Sequence, residues 1–351
     1  MAFLLSSSPA FRLRKNNMKG YTGAMLQVRD LSISFFTQTG EIQAVRGISY
    51  ELNEGEVLGI VGESGSGKSV SSHAILRLTP PSGRVKAGEI IFEGQDILGL
   101  DRKDLQKLRG NRISMIFQDP MTALDPLFTI RYQLDEALRK HTALDKNSRY
   151  DRMLELLDLV GINQPERRLK QYPHQLSGGM RQRIMIAMAL SCDPDLLIAD
   201  EPTTALDVTI QAQIIYLLKE LKEKLGMAII FITHDLGVVS DICDRIIVMY
   251  AGRIVEEGTS RQIFYRHKHP YTQGLIESVP DIGETADQRL KAIPGNPPDM
   301  SCVPKGCAFA SRCPYAMAIC VREDAPLIDL GEGHSAACWK LAEPAGGGGS
   351  I

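Results

Sequence analysis

The stretch Gly62-Glu63-Ser64-Gly65-Ser66-Gly67-Lys68-Ser69 constrains this chain more than any other. It lies directly behind the apolar run Val57-Leu58-Gly59-Ile60-Val61 and ahead of Val70-Ser71-Ser72-His73-Ala74-Ile75-Leu76. That order predicts a strand, a G-x-x-x-x-G-K-[ST] loop and a helix, the context that separates a phosphate-binding loop from an ordinary Gly/Ser-rich turn. Its glycines let successive backbone N–H groups turn inward as an anion-holding nest. The new helix adds roughly half a positive charge at its N-terminus. Lys68 can then reach the β- and γ-phosphates of a nucleoside triphosphate, and the Ser69 hydroxyl can ligate Mg²⁺.

The 351 residues suffice for one large domain or two to three ordinary ones, and 44% apolar with 23% charged residues describes a globular protein. Forty Lys and Arg against 42 Asp and Glu give no whole-molecule argument for a nucleic-acid partner. No run reaches the roughly 18 consecutive apolar residues of a spanning helix, so membrane association is expected to go through a partner. Phe3-Leu4-Leu5 precedes Arg12, Arg14 and Lys15, the wrong order for a secretory signal. Residues 1–24 are expected to be a loose extension, with Met18 or Met25 as possible natural starts. Residues 342–351, with Gly346-Gly347-Gly348-Gly349-Ser350, read as a flexible linker.

Between residues 25 and 58 the alternation in Leu26-Gln27-Val28, Leu31 to Phe35 and Ala44 to Leu52 predicts antiparallel strands. Residues 84–98 predict another short strand pair. Ile113-Ser114-Met115-Ile116-Phe117 is an apolar strand ending at Gln118-Asp119-Pro120, after which the period becomes helical, as in Asp151–Val160 before Gly161. Residues 119–190 therefore read as a helical insertion between two halves of a sheet. The wholly apolar runs Leu196–Ala199 and Ala228–Ile232 suit parallel strands buried on both faces. A helix over about 207–225 is expected between them, capped by Gly226, and a strand pair is expected around Ala251-Gly252. This alternation predicts an α/β fold with a parallel-sheet core. Composition shifts after residue 258, so residues 259–341 read as an appended region.

Two further stretches carry chemistry. Asp200 and Glu201 end an apolar strand, which would deliver them to the sheet's ligand-binding edge, Asp200 to hold Mg²⁺ and Glu201 to polarise an attacking water. A plain surface Asp-Glu pair is the alternative. Leu176-Ser177-Gly178-Gly179-Met180 opens a helix and offers a second anion site, although Ser-Gly-Gly is also a common turn.

Taken together, these residues resemble the nucleotide-binding domain of ATP-binding-cassette (ABC) transporters over about residues 25–258. In that resemblance Leu176–Met180 matches the signature motif, with Met180 where Gln is more usual. Gln118 matches the Q-loop, which reaches the catalytic Mg²⁺. Thr204-Ala205-Leu206-Asp207 matches the D-loop, and His234 the switch histidine at the γ-phosphate. A strand-end cap is the plainer role for His234. The family's adenine-stacking aromatic falls at Phe35, with Phe36 as runner-up and a core position as the alternative. The resemblance implies a P-loop fold with a RecA-like core, an antiparallel β subdomain and a helical subdomain. It also implies two cassettes sandwiching two ATP molecules, Ser177, Gly178 and Gly179 of one facing the P-loop of the other. Driving such a pair from 1:99 to 99:1 closed takes about 5.5 kcal/mol of differential binding.

His269-Pro270-Tyr271-Thr272-Gln273-Gly274-Leu275, Pro294-Gly295-Asn296-Pro297-Pro298 and Gly306–Pro314 resemble the C-terminal extension of ATPase subunits of dipeptide and oligopeptide importers. The resemblance implies a bacterial peptide importer, peripheral on the cytoplasmic face of the inner membrane. Its partners would be a second ATPase subunit, two transmembrane permeases and an extracytoplasmic solute-binding protein. Subunits handling nickel share these features. A soluble ABC protein of translation or DNA repair and a non-hydrolysing metal-sensing scaffold are alternatives of another kind.

Cys192 and Cys243 lie in apolar surroundings and read as buried thiols. Cys302, Cys307, Cys313, Cys320 and Cys338 are separated by four, five, six and seventeen residues, unlike zinc-ribbon pairs or common ferredoxin spacings. The importer resemblance makes Cys307, Cys313, Cys320 and Cys338 the quartet for a [4Fe–4S] cluster, with structural zinc and unligated thiols as alternatives.

Overall fold

A computed structural model describes residues 23–342 except 39, 205 and 279–291. The expectations for residues 1–22, for Ala205 of the D-loop and for the glycine-rich tail lie outside the described residues. In chain order the strands are β1 (Leu26–Thr37), β2 (Gly40–Leu52), β3 (Val57–Val61), β4 (Gly83–Phe92), β5 (Gln95–Asp96) and β6 (Ile113–Ile116). They continue with β7 (Leu196–Asp200), β8 (Ala228–Thr233), β9 (Arg245–Tyr250), β10 (Arg253–Thr259), β11 (Ile328–Asp329) and β12 (Ser335–Ala336).

These strands form two sheets. The first is antiparallel with order β2-β1-β4-β5, and the second runs β11-β12-β10-β9-β3-β8-β7-β6. In the second sheet β6, β7, β8, β3 and β9 are mutually parallel, and β10, β12 and β11 add antiparallel pairs at one edge. The parallel strands are apolar along nearly all their length because both faces are covered, with Ser114 of β6 the buried polar residue inside one of them. Val57, Val61, Leu197, Ala199, Ile229 and Phe231 point into one core, and Leu58, Ile60, Leu196, Ile198, Ile230 and Ile232 into the other. The second core lies under the antiparallel sheet, against Leu26, Ile33, Leu52 and Phe92. The fold is thus the P-loop α/β architecture expected from the motif order, with separate antiparallel and helical parts.

The insertion after β6 is helical: Pro120–Ala123, Ile130–His141, Lys146–Leu159, Pro165–Leu169 and Gly178–Ala189. Leu134, Leu138, Leu156, Leu157 and Ile184 join the first core. The third of these helices begins a turn before its apolar stripe, because Asp145 accepts a hydrogen bond from Ser148 N at 2.8 Å and fixes the start. The helix Val208–Leu225 buries Ile214, Leu217, Leu218 and Leu221 and ends at Gly226, which is left-handed at φ 62°. Cys192 and Cys243 are buried thiols.

Residues beyond 258 run back across the molecule. β12 pairs with β10, and Tyr271 and Phe309 enter the first core. Glu256, at 0% exposure, holds this arrangement. Its carboxylate accepts from Lys268 N at 2.6 Å, His269 N at 2.9 Å and His334 Nε2 at 2.8 Å. Glu256→Ala orphans the buried donors His269 N and His334 Nε2 and the part-buried Lys268 N, each buried one costing about 1–3 kcal/mol. The expected outcome is a stability loss of about 3 kcal/mol or more in urea unfolding, and an unchanged midpoint would remove Glu256 as the anchor.

Candidate functional site

The P-loop leaves the carboxyl end of β3 and enters the helix Lys68–Ile75. Two glycines are forced by space. A Cβ at Gly62 would lie 2.2 Å from Met249 O, and one at Gly67 would lie 2.4 Å from Ala44 O, with φ at +153° and +98°. Within the loop Ser66 N donates to Glu63 O at 3.2 Å, while Ser64 and Gly65 are exposed. Lys68 is buried, and its Nζ donates to Gly62 O at 2.7 Å and Glu63 O at 2.9 Å. Burial pulls the Lys68 ammonium below its ordinary value, opposed by the carboxylates of Glu201, Asp200 and Glu63. Ser66 Oγ is buried without a protein partner. A glycine cradle, a buried ammonium and an unpaired hydroxyl fit the triphosphate that the motif implies.

The neighbouring strands bring carboxylates to the same edge. Ser69 Oγ donates to Asp200 Oδ1 at 2.8 Å, so a hydroxyl and a carboxylate oxygen stand side by side, the hard donor set that suits Mg²⁺. His73 Nε2 lies 3.0 Å from Asp200 Oδ2; a carboxylate only accepts, so this nitrogen carries the proton. Glu201 sits at φ 44°, a conformation uncommon for a non-glycine residue, and its N–H donates to Ile232 O of β8 at 2.9 Å. Glu201 Oε2 accepts from Gln118 Nε2 at 2.8 Å and Thr204 Oγ1 at 2.9 Å, with His234 Nδ1 at 3.4 Å. Lys68, Ser69, Gln118, Asp200, Glu201 and His234 are therefore gathered around one sheet edge.

The Ser177 group stands apart. Ser177 caps the helix Gly178–Ala189, its Oγ accepting from Met180 N at 3.4 Å, and Ser177 and Gly178 are exposed. Gly179 abuts Ile210, where a Cβ would come within 3.0 Å. Asp207 caps the adjoining helix, accepting from Ile210 N at 2.9 Å. Among the described residues no hydrogen bond or ion pair joins Ser177 or Asp207 to the P-loop. Phe35 is half-buried against Gly83, whereas Phe36 is 42% exposed beneath the cations of Arg84 and Lys86.

Cys307, Cys313, Cys320 and Cys338 line one small cavity of about 20 Å³ with Pro270, Phe309 and Trp339, while Cys302 is exposed and outside it. Cys307 N donates to Cys320 O at 2.8 Å. Burial pushes the Cys307 thiol up to about 11, and raises Cys313 and Cys338 as well. Among the described residues no three His, Cys, Asp or Glu side chains are grouped to hold a metal ion.

Residues 45–204 match the family model described as ABC transporter, and residues 255–320 the one described as oligopeptide/dipeptide transporter, C-terminal region. The oligopeptide transport ATP-binding protein OppD of Bacillus subtilis (strain 168) is 54% identical over 318 residues, 90% of this chain and 89% of that protein. The dipeptide transport ATP-binding protein DppD of the same organism is 52% identical over 316 residues, 90% of this chain and 94% of that one. The chain belongs to the ATP-binding subunits of peptide ABC transporters. A solved dimeric structure of MJ0796, a bacterial ABC transporter cassette, is 32% identical with a TM-score of 0.61, covering 68% of this chain and 99% of that one. This chain therefore has the cassette fold and belongs with the ABC-type ATPases.

Sequence reading missed several residues of this ABC site. His73 sits four positions after Ser69, which puts both on one helix face toward Asp200, so helical spacing alone could have found it. Thr204 stands in the sequence only as the first residue of the Thr204–Asp207 motif, with nothing local to pair its hydroxyl with Glu201. Tyr271 and Arg312 lie in the segments that resemble the importer extension, but nothing local in those segments points them at the P-loop. Outer partners of a metal ligand typically set about 10-fold or more in affinity. His73→Ala is expected to raise the Mg²⁺ concentration for half-maximal ATP hydrolysis about tenfold; an unchanged Mg²⁺ titration would assign His73 to packing alone.

Proposed function

We propose that this chain is the ATP-hydrolysing subunit of a bacterial peptide importer, peripheral on the cytoplasmic face of the membrane, working as one half of a cassette pair. The observation that carries this reading is the divided site. The P-loop, Asp200, Glu201 and His234 are assembled on one edge, while Ser177, Gly178 and Gly179 are presented elsewhere at an exposed helix start. A second cassette, similar or identical, completes each pocket by setting its Ser177 and Gly179 against the γ-phosphate held here. The dimeric form of the related cassette MJ0796 supports that arrangement. The match of residues 255–320 and the two Bacillus relatives support peptide as the cargo class.

In this reading the loop from Gly62 to Gly67 cradles the phosphates with Ser64, Gly65 and Ser66. Lys68 binds the β- and γ-phosphates, and Ser69 with Asp200 holds Mg²⁺, joined by Gln118. When bound, Mg²⁺ supplies charge neutralisation on the phosphate oxygens. Glu201 orients and polarises the attacking water, His234 contacts the γ-phosphate, and Asp207 faces the partner cassette. An aromatic ring of β1 stacks on adenine, Phe35 by its motif position, with the exposed Phe36 as the runner-up. Two permeases and a solute-binding protein complete the assembly. The exposed apolar side chains Phe117 and Met121, flanking Gln118 in the chain, and Leu127 and Phe128 of the helical insertion suit a permease helix.

We also infer that Cys307, Cys313, Cys320 and Cys338 hold a [4Fe–4S] cluster, with structural zinc as the second reading. Their convergence on one cavity supports a shared ligand. Such a ligand would tie together four points of a segment with little core of its own.

Two measurements check these readings. Glu201→Gln is expected to bind ATP normally, lose about 100-fold or more of turnover in the assembled transporter and accumulate closed dimers; near-normal hydrolysis removes Glu201 from its role. Anaerobically purified protein is expected to be brown with broad visible absorbance. Colourless protein with stoichiometric zinc overturns the cluster, and metal-free protein overturns both.

A further inference from the structure

Glu63 is a carboxylate placed inside a loop built to receive phosphate. Left alone, its negative charge would oppose a triphosphate at the same loop. Its polar atoms are all engaged, and two of its partners come from the C-terminal region. Glu63 N donates to Tyr271 Oη at 2.8 Å. Glu63 O accepts from Ser66 N and from Lys68 Nζ. Both carboxylate oxygens are taken by one guanidinium, Arg312 Nη1 to Oε2 at 2.7 Å and Nη2 to Oε1 at 2.9 Å. This is the bidentate geometry that makes an arginine–carboxylate pair strong and directional.

Arg312 is itself immobilised. Its side chain is 4% exposed. Nε donates to Pro294 O at 3.0 Å, Nη2 to Ile293 O at 3.4 Å and Nη1 to the Tyr250 hydroxyl at 3.2 Å. The guanidinium lies 5.8 Å from the ring centres of both Tyr250 and Phe309. Tyr271 packs on the same rings, 4.5 Å from Tyr250 and 5.4 Å from Phe309. The clamp thus rests on three rings from β9, the helix Pro270–Glu277 and the turn before Cys313.

We propose that Arg312 and Tyr271 are positioning residues for ATP binding: the C-terminal region neutralises Glu63 and fixes the P-loop in the shape that accepts a triphosphate. The proposal rests on the reading of the P-loop as the ATP site. Through it, a segment outside the cassette core sets nucleotide affinity. Neither residue touches the phosphates; both act through Glu63.

The test is an equilibrium titration of the full chain with Mg²⁺-ATP, together with KM and kcat of the assembled transporter. Arg312→Gln leaves the Glu63 charge uncompensated and is expected to raise the ATP Kd about tenfold or more. Tyr271→Phe keeps the ring and loses one hydrogen bond, for an expected rise of about fivefold. In the transporter the change should appear in KM, with kcat within about twofold. The double variant Arg312→Gln with Glu63→Gln removes both charges and is expected to recover ATP affinity to within about threefold of the unaltered chain. Kd values within twofold for both Arg312→Gln and Tyr271→Phe overturn the proposal, as does a loss in Arg312→Gln that Glu63→Gln fails to relieve. Should Arg312→Gln not fold, Tyr271→Phe alone decides by the same criterion. Absence of ATP binding by the unaltered chain sinks the ATP reading itself, and is thereby distinguished from failure of the clamp.

Discussion

A parallel strand satisfies its backbone only between neighbours, and when both of its faces are covered a polar side chain along its length is costly. In β3, β7 and β8 every residue is buried. Polar groups are therefore confined to the strand ends. Lys68 and Ser69 follow β3, Asp200 and Glu201 end β7 and begin its loop, and His234 follows β8. Because the strands are parallel and in register, these ends meet at one edge. The site is a consequence of how the sheet is buried, and residues far apart in sequence become neighbours without any loop having to fold over to bring them in.

Two acidic side chains then fasten the C-terminal region to this frame by contrasting means. Glu256 is enclosed and is satisfied mostly by backbone N–H groups at the start of the helix Pro270–Glu277. Glu63 is only partly buried and is satisfied by a guanidinium and a backbone turn. A buried carboxylate is costly unless every lone pair finds a donor, so each anchor fixes the direction from which its donors arrive. The start of the helix Pro270–Glu277 carries partners for both: Lys268 and His269 just ahead of it reach Glu256, and Tyr271, its second residue, reaches Glu63 N. The anchors are thus coupled through one short element. Burial holds the adjoining His269 down to about 4, so it stays neutral and its Nδ1 accepts from Tyr271 N at 3.1 Å.

What could be read from the sequence and what could not divides along the range of the interaction. Buried strands announce themselves by unbroken apolar runs, and the P-loop by glycines whose Cβ would strike backbone oxygens. These are local facts, and so are the caps at Asp207 and Gly226. β12 is two residues long and has no pattern of its own; it exists because β10 offers an edge. The residues from 259 onward look appended by composition, yet Tyr271 and Phe309 share the core of the sheet. The Arg312–Glu63 pair spans 249 positions, beyond the reach of any periodicity argument. His73 is the instructive middle case: its spacing from Ser69 was legible, but only the placement of Asp200 gives that spacing a meaning.

The divided site has an electrostatic logic. The P-loop helix and the helix Gly178–Ala189 both present positive N-termini. Within one chain the two ends address different places, and in the proposed pair the end at Ser177 would confront the P-loop of the partner. Brought together with nothing between them, like ends repel. A triphosphate set between them reverses the sign, since each end then meets anionic oxygens through charge-assisted hydrogen bonds. In the proposed pair, removing the γ-phosphate would withdraw the oxygens that Ser177 and Gly179 address, while the loop would keep the remaining phosphates. Such a pair would be held by the part of the ligand that hydrolysis takes away, and a site completed across two copies could open without either cassette losing its own fold.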